Sequence, residues 1–317
     1  MFSCLFGSCF KRTKNMVLTV DELLNATEPA MGGANDIQRY KSIRKIGTGG
    51  FAKVWKAIDT HTKEYVAMKV SSSSYTNNVL EKEFFILRKL NSPHIISPIA
   101  FYYDRRALTT THMIIPFMKK DLYTHAVEEK RYMSEEELRK LVIDIANAIK
   151  HVHELDLVHR DIKPENILID DNGNYVLCDF GHAEHDNSVS LEGLKGSLFY
   201  MAPEVASAHV KKNRNTIPFS IGKPIDIFSF GMTLHNVATL SMGGANPSNK
   251  LEINYIDEIS RFDMMPQVDD LTDRSDTFRD LLKMMLYRSP IARITVEEIL
   301  EHPFVTGKDA ILTSGPM

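Results

Sequence analysis

Cysteine is scarce in this 317-residue chain, which holds only Cys4, Cys9 and Cys178. Three unevenly spaced thiols build no disulfide framework and suit a reducing compartment. Long apolar runs are missing too: none approaches the ~18 residues of a membrane-spanning helix. An excess of one charge is also lacking. Lys and Arg number 38 against 41 Asp and Glu, a net charge of -3. That balance argues against a nucleic-acid binder that relies on a strongly basic surface, so no nucleic-acid partner is expected. No internal repeat or low-complexity tract appears. What remains is an ordinary globular composition, 43% hydrophobic and 25% charged, with enough apolar residues for a sizeable core.

The N-terminus runs from Met1 to Phe10 as an apolar stretch, followed by Lys11, Arg12 and Lys14. A secretory signal carries its positive charge first, so this order is the wrong way round. Phe2 excludes N-myristoylation. Two alternatives stay open for residues 1–37: a leader anchored through palmitoylated Cys4 and Cys9 beside basic residues, or a disordered leader. The first would put a cytoplasmic protein at the inner face of a membrane.

Order is expected from about Tyr40. Apolar and polar residues alternate over Tyr40 to Ile46, Phe51 to Ile58 and Tyr65 to Val70, which predicts an antiparallel meander. Val79 to Leu90 has helical apolar spacing. Past Phe117 the pattern is mainly helical. Leu138, Leu141, Val142, Ile145, Ala148, Ile149 and Val152 form one stripe, and Ser134 with Glu137 predicts a capping box at its start. A hairpin is expected over Ile167–Ile169 and Tyr175–Cys178, turning at Asp171-Asn172-Gly173. Thr295 with Glu298 predicts a second capping box.

Chemistry enters at Gly47-Thr48-Gly49-Gly50-Phe51-Ala52-Lys53-Val54, between two predicted strands. Glycines let backbone N–H groups approach phosphate oxygens closely. Lys69, on the third strand after Ala67, can neutralise phosphate charge beneath that turn, and Glu83 is its best placed carboxylate partner. The segment His159-Arg160-Asp161-Ile162-Lys163-Pro164-Glu165-Asn166 presents a carboxylate, an ammonium and an amide within one turn. Asp161 can orient an attacking hydroxyl and accept its proton. Lys163 can hold a transferred phosphoryl, and Asn166 can offer an oxygen to magnesium. Asp179-Phe180-Gly181 supplies a second hard oxygen ligand.

These residues, in this order over roughly positions 40–306, resemble the eukaryotic protein kinase family, serine/threonine type. Ala202-Pro203-Glu204, the Asp226 to Gly231 helix and Arg293 extend the resemblance. It implies an α+β, bilobal fold, with a small β-rich N-lobe carrying one helix and a larger, mainly helical C-lobe. The implied kinase domain is 38–306, with N-lobe 38–116, hinge 117–119, C-lobe 120–306 and a tail at 307–317. It implies ATP and Mg2+ as cofactors and a protein substrate with a serine or threonine acceptor. Asp161 would be the base. Lys163 would be catalytic beside it, and Lys69 would hold the α/β-phosphates and pair with Glu83. Asn166 and Asp179 would bind magnesium.

For the nucleotide, the resemblance implies Gly47, Thr48, Gly49, Gly50, Phe51 and Ala52 over the phosphates. Val54, Ala67 and Leu168 would sandwich the adenine. Ile115 would be the gatekeeper, with Pro116 and Met118 facing the base and Asp121 at the ribose. Glu204 with Arg293 resembles a structural ion pair. His159, Phe180 and Leu87 resemble members of a stacked spine, and Ser197 stands where a hydroxyl meets Asp161 and Lys163. Cys178 reads as a half-buried apolar filler.

The chain departs from the family in three places. Ala52 replaces a loop glycine. Counting back from Ala202-Pro203-Glu204, the usual phosphoacceptor position falls on Gly193. Arg160 implies a basic pocket awaiting an anion, which either Glu192 or phosphorylated Ser188 or Ser190 would supply. The connection from Glu204 to Asp226 is long and includes Lys211-Lys212-Asn213-Arg214, read as a solvated loop or a substrate-docking element over 209–218. The main rival to an active enzyme is a pseudokinase scaffold, a class that normally lacks Lys69, Asp161 or Asp179; all three are here. Lys163 suits a serine/threonine enzyme, and Glu165 favours a basic residue upstream of the acceptor.

Overall fold

The computed structural model describes residues 30–32, 36–71, 73–104, 110–186, 196–211, 222–240, 256–261 and 266–307. Cys4, Cys9, Ser188, Ser190, Glu192, Gly193, residues 212–218 of the long connection and the tail past Gly307 lie outside them. Ala30–Gly32 form a strand, β1. The meander expected from alternation is present as β2 (Tyr40–Thr48), β3 (Lys53–Asp59) and β4 (Tyr65–Ser71). Asp59 closes the β3–β4 turn by accepting a hydrogen bond from the His61 N–H at 2.9 Å, and Arg39 grips the same carboxylate at 2.7 and 2.6 Å.

Next comes α1 (Ser74–Lys89), which starts at Ser74 rather than Val79 because Ser73 and Thr76 form a capping box. β5 (Ala100–Asp104) and β6 (Thr110–Pro116) complete a six-stranded sheet in the order β1-β5-β6-β4-β3-β2. The expectation that order begins at Tyr40 is corrected by β1. It pairs in parallel with β5, Ala30 opposite Ala100 and Gly32 opposite Tyr102, and so covers an otherwise bare edge of the sheet.

Below the hinge, β7 (Lys120–Asp121) is followed by α2 (Glu135–Glu154). Its first turn is closed by the predicted box: the Glu137 N–H donates to Ser134 Oγ at 3.2 Å, and the Ser134 N–H donates to Glu137 Oε2 at 2.9 Å. Every member of the predicted apolar stripe on α2 is fully buried. A short β8 (Leu157–Val158) precedes the hairpin of β9 (Ile167–Ile169) and β10 (Tyr175–Leu177), whose turn places Gly173 at φ +78°. β7 joins that hairpin, and β11 (Glu184–His185) pairs with β8.

The remaining labelled helices are α3 (Pro203–Lys211), α4 (Gly222–Thr239), α5 (Asp276–Met285), α6 (Val296–Glu301) and α7 (Pro303–Thr306). α6 begins at the predicted Thr295–Glu298 box. One apolar core runs through both lobes, from Phe84, Leu87 and Phe101 to Ile145, Ile149 and Phe228. Backbone bonds stitch the lobes together: the Leu177 N–H donates to the His94 carbonyl at 2.8 Å, and the Ile96 N–H to the Leu177 carbonyl at 3.0 Å. The bilobal α+β architecture follows: a sheet with one helix above, helices below, and β9 and β10 under the cleft between them.

Candidate active site

The β2–β3 turn carries Gly47 to Ala52 over the cleft, tightened by a bond from the Gly49 N–H to the Ala52 carbonyl at 2.9 Å. Gly50 faces open space, as a turn that must admit phosphate oxygens requires. Phe51 points down from it. Its ring meets the His182 ring edge-on at a centroid distance of 5.0 Å. A Cβ built on Gly181 would lie 3.3 Å from the same ring, so the glycine makes room for Phe51.

Strand pairing sets out the pocket behind this turn. Val54 pairs with Lys69, Ala67 with Ile115 and Val66 with Pro116. Leu168 pairs with Asp121 across β7 and β9. Val54, Met118 and Leu168 are half-buried against the core, whereas Ala67 and Ile115 belong to it. Asp121 thus stands beside Leu168, and its carboxylate is already engaged, accepting from the Thr124 N–H at 2.7 Å and its hydroxyl at 3.2 Å.

Lys69 is the electrostatic centre. Its Nζ lies 2.6 Å from Glu83 Oε1 on α1 and 2.7 Å from Asp179 Oδ1. Burial alone would lower the ammonium, but the charges of Asp179 and Glu83 outweigh it and push the group well above its ordinary value. The Lys69 charge holds the Asp179 carboxyl down at about 2. Glu83 is the more buried carboxylate, and burial pulls its carboxyl upward against the lysine. Asp179 is therefore the firmer anion of the two. α1 is tied to the same segment by the Phe180 N–H donating to Glu83 at 3.2 Å and by Lys82 Nζ donating to the Ala183 carbonyl at 2.8 Å.

Opposite stands Asp161, 5% exposed. Its Oδ2 takes Lys163 Nζ at 2.9 Å and Asn166 Nδ2 at 3.0 Å. Its Oδ1 is buried without a partner. Burial works against the Lys163 ammonium, but the Asp161 charge outweighs it and raises the group above its ordinary value. Lys163 also donates to Ser197 Oγ at 2.7 Å. The expected meeting of Ser197 with both residues is thus half realised, since no bond joins it to Asp161. Asn166 uses its amide nitrogen on Asp161, which leaves its side-chain oxygen as the ligand atom for a cation. That oxygen and the Asp179 carboxylate are a hard-oxygen pair, and they suit a magnesium ion that draws its other ligands from phosphates and water.

Second-layer contacts fix this turn. His159 packs edge-on against Phe180 at 4.6 Å and hydrogen-bonds the Cys178 carbonyl at 3.0 Å, with Leu87 buried in the same core. Glu204 and Arg293 pair at 2.7 and 3.0 Å. Three relationships have no counterpart in the sequence reasoning. Asp226 accepts the N–H groups of His159 and Arg160, both at 2.8 Å, together with His153 Nε2 at 3.0 Å. Arg160 pairs with Glu184, and Phe51 packs on His182. Only Asp226 carried a signal, a lone charge in the apolar run Ile225 to Phe230.

Residues 40–305 match the family model described as protein kinase domain. The chain belongs to the protein kinase family. It is similar to the liver/testis gamma catalytic chain of phosphorylase b kinase from Mus musculus, 31% identical over 279 residues, and to that of Bos taurus, 30% identical. Each alignment covers 84% of this kinase-family chain and 66% of the relative. The serine/threonine-protein kinase TIO of Arabidopsis thaliana is 29% identical over 275 residues, covering 85% of the chain and 19% of the relative. The chain thus spans just under two thirds of the first two relatives and a small part of the third.

Proposed function

We propose that this protein is an active serine/threonine kinase that transfers the γ-phosphate of Mg-ATP to a protein hydroxyl. The observation that carries the proposal is Lys69 joined at once to Glu83 and Asp179. A pseudokinase has no need to keep a buried lysine assembled with both carboxylates, because a buried ammonium is costly unless paired.

Each side chain has a task. The backbone of Gly47 to Ala52 and the Lys69 ammonium grip phosphate oxygens. Asn166 and Asp179 would hold magnesium, which when bound neutralises charge on the β- and γ-phosphates. Asp161 Oδ1 accepts the proton of the acceptor hydroxyl, whose oxygen bonds to the γ-phosphorus as the bond to ADP breaks. Unmade, that buried acceptor costs about 1–3 kcal/mol, which an incoming hydroxyl relieves. Lys163 steadies Asp161 and faces the transferred phosphoryl. Glu165 is exposed on the same turn and favours an acceptor with a basic residue upstream.

The test is transfer of labelled γ-phosphate to casein, with Asp161→Asn as control. The wild type should transfer, and the variant should lose roughly 10²–10⁴-fold in kcat while still binding nucleotide. Equal activity of the two, or no magnesium-dependent nucleotide binding by the wild type, removes the proposal.

A further inference from the structure

Arg160 is held at three points. Its N–H donates to Asp226 Oδ1 at 2.8 Å. Its carbonyl faces Gly196, where a Cβ would come within 2.5 Å of the oxygen. Its guanidinium, on a side chain 2% exposed, lies 2.5 Å from Glu184 Oε2. Its backbone is left-handed, at φ +70°, a conformation that a non-glycine residue keeps only when its surroundings impose it. Asp161 is the next residue, so whatever fixes Arg160 aims the proposed base.

The pocket around a buried arginine needs an anion, because an unpaired charge there is strongly destabilising. The sequence offered Glu192 or a phosphate on Ser188 or Ser190. The structure brings in a different residue. Glu184 lies in β11 and is fixed by pairing opposite Val158 of β8, just before the His159-Arg160-Asp161 turn. Its side chain is 13% exposed. Strand and counter-ion are therefore one rigid unit, and the carboxylate is encoded by the chain itself.

We propose that Glu184 is the permanent anion of the Arg160 pocket and a positioning residue for Asp161, so that phosphoryl transfer requires no phosphate on the activation segment. The proposal rests on the phosphotransferase function put forward above. A glutamate is a charge that no phosphatase can remove, and it is available as soon as the chain folds.

The experiment uses the full chain, treated with phosphatase until its intact mass shows no phosphate. Wild-type kcat towards casein should stay within about twofold of the untreated chain. Glu184→Gln should lower kcat roughly 10–100-fold, with the KM for ATP changed by less than about threefold, because removing one partner strands a buried charge. Glu184→Asp should keep more activity than Glu184→Gln. Glu184→Ala should regain part of its kcat, and a higher Tm, when formate is added as a free carboxylate; the wild type should gain neither.

Loss of wild-type activity on dephosphorylation overturns the proposal, and so does an unimpaired Glu184→Gln. Formate that raises Tm without restoring any kcat also overturns it, because the pair is then structural only. Should the Glu184→Gln and Glu184→Ala chains fail to fold, Glu184→Asp carries the variant arm, and loss of wild-type activity on dephosphorylation still overturns the proposal. A wild type inactive both before and after treatment instead refutes the phosphotransferase function. The Tm response to formate then still reports whether Arg160 needs an anion at this place.

Discussion

A Cβ on Gly196 would stand 2.5 Å from the carbonyl oxygen of Arg160 and 3.6 Å from Oδ1 of Asp161. The neighbour is backbone, already fixed by Asp226, so it has no room to retreat. Gly196 is also at φ +88°. Gly196→Ala is expected to push the end of the activation segment away from Asp161 and to lower kcat roughly 10–100-fold, with little change in the KM for ATP. Gly173→Ala is the matched control, because Gly173 shares a positive φ but has nothing within 4 Å. It should cost about 1 kcal/mol of stability from backbone strain alone and leave kcat unchanged. Steady-state kinetics on both variants with urea melts checks this; equal kcat losses would refute it.

Local chemistry made much of the fold legible. The boxes at Ser134 and Thr295 and the turn at Gly173 are short-range devices whose residues announce themselves. The start of α1 was missed because Thr76 fills the place where Glu or Gln is the usual signal. The candidate site residues were legible through motif order, since Lys69, Asp161, Asn166 and Asp179 stand in recognisable surroundings. Their supports were not. Asp226 reaches Arg160 across 66 positions, and Glu184 reaches it across 24. No periodicity links such partners; only the folded geometry pairs them. The strand β1 was equally silent, because three residues carry no pattern and their order comes from the edge of β5.

Asp226 should be the most damaging single charge to remove from the C-lobe. It is fully buried and accepts three hydrogen bonds. Burial works against its charge, yet the bonds from His153 and the His159 backbone prevail and hold the carboxyl below its ordinary value. Asp226→Ala would strand two buried N–H groups and a histidine, a loss of about 3–5 kcal/mol. Asp226→Asn keeps one acceptor oxygen but turns an NH2 group towards donors, so it should recover only part of that. Urea denaturation ranks them; an Asp226→Ala stability within error of wild type contradicts the assignment.

Acid should weaken the N-lobe through Asp59. The Arg39 hydrogen bond holds its carboxyl far below the ordinary range, helped by the His61 N–H. The folded state therefore resists taking the proton that the unfolded chain accepts near pH 4. The contribution is complete above that pH and is lost as pH falls towards the depressed folded value. Asp59→Asn should lower Tm at pH 7 by roughly 2–4 °C. The gap to wild type should narrow steadily below pH 4. Differential scanning calorimetry from pH 7 to pH 3 measures it, and a gap that widens in acid reverses the sign and defeats the argument.

Cys178 directly precedes Asp179, one of the two proposed magnesium ligands. Part of its surface is exposed, but burial pushes the thiol strongly upward, the Asp179 charge adds to this, and Lys69 only partly opposes it. The thiolate, which is the nucleophile, is correspondingly rare. In a Cys4→Ser, Cys9→Ser background, the folded chain should alkylate with iodoacetamide at pH 8 at least ~100-fold more slowly than the same chain in urea. Its kcat should survive the treatment. Rapid native labelling with loss of activity would make Cys178 a reactive thiol beneath the nucleotide instead of a packed side chain.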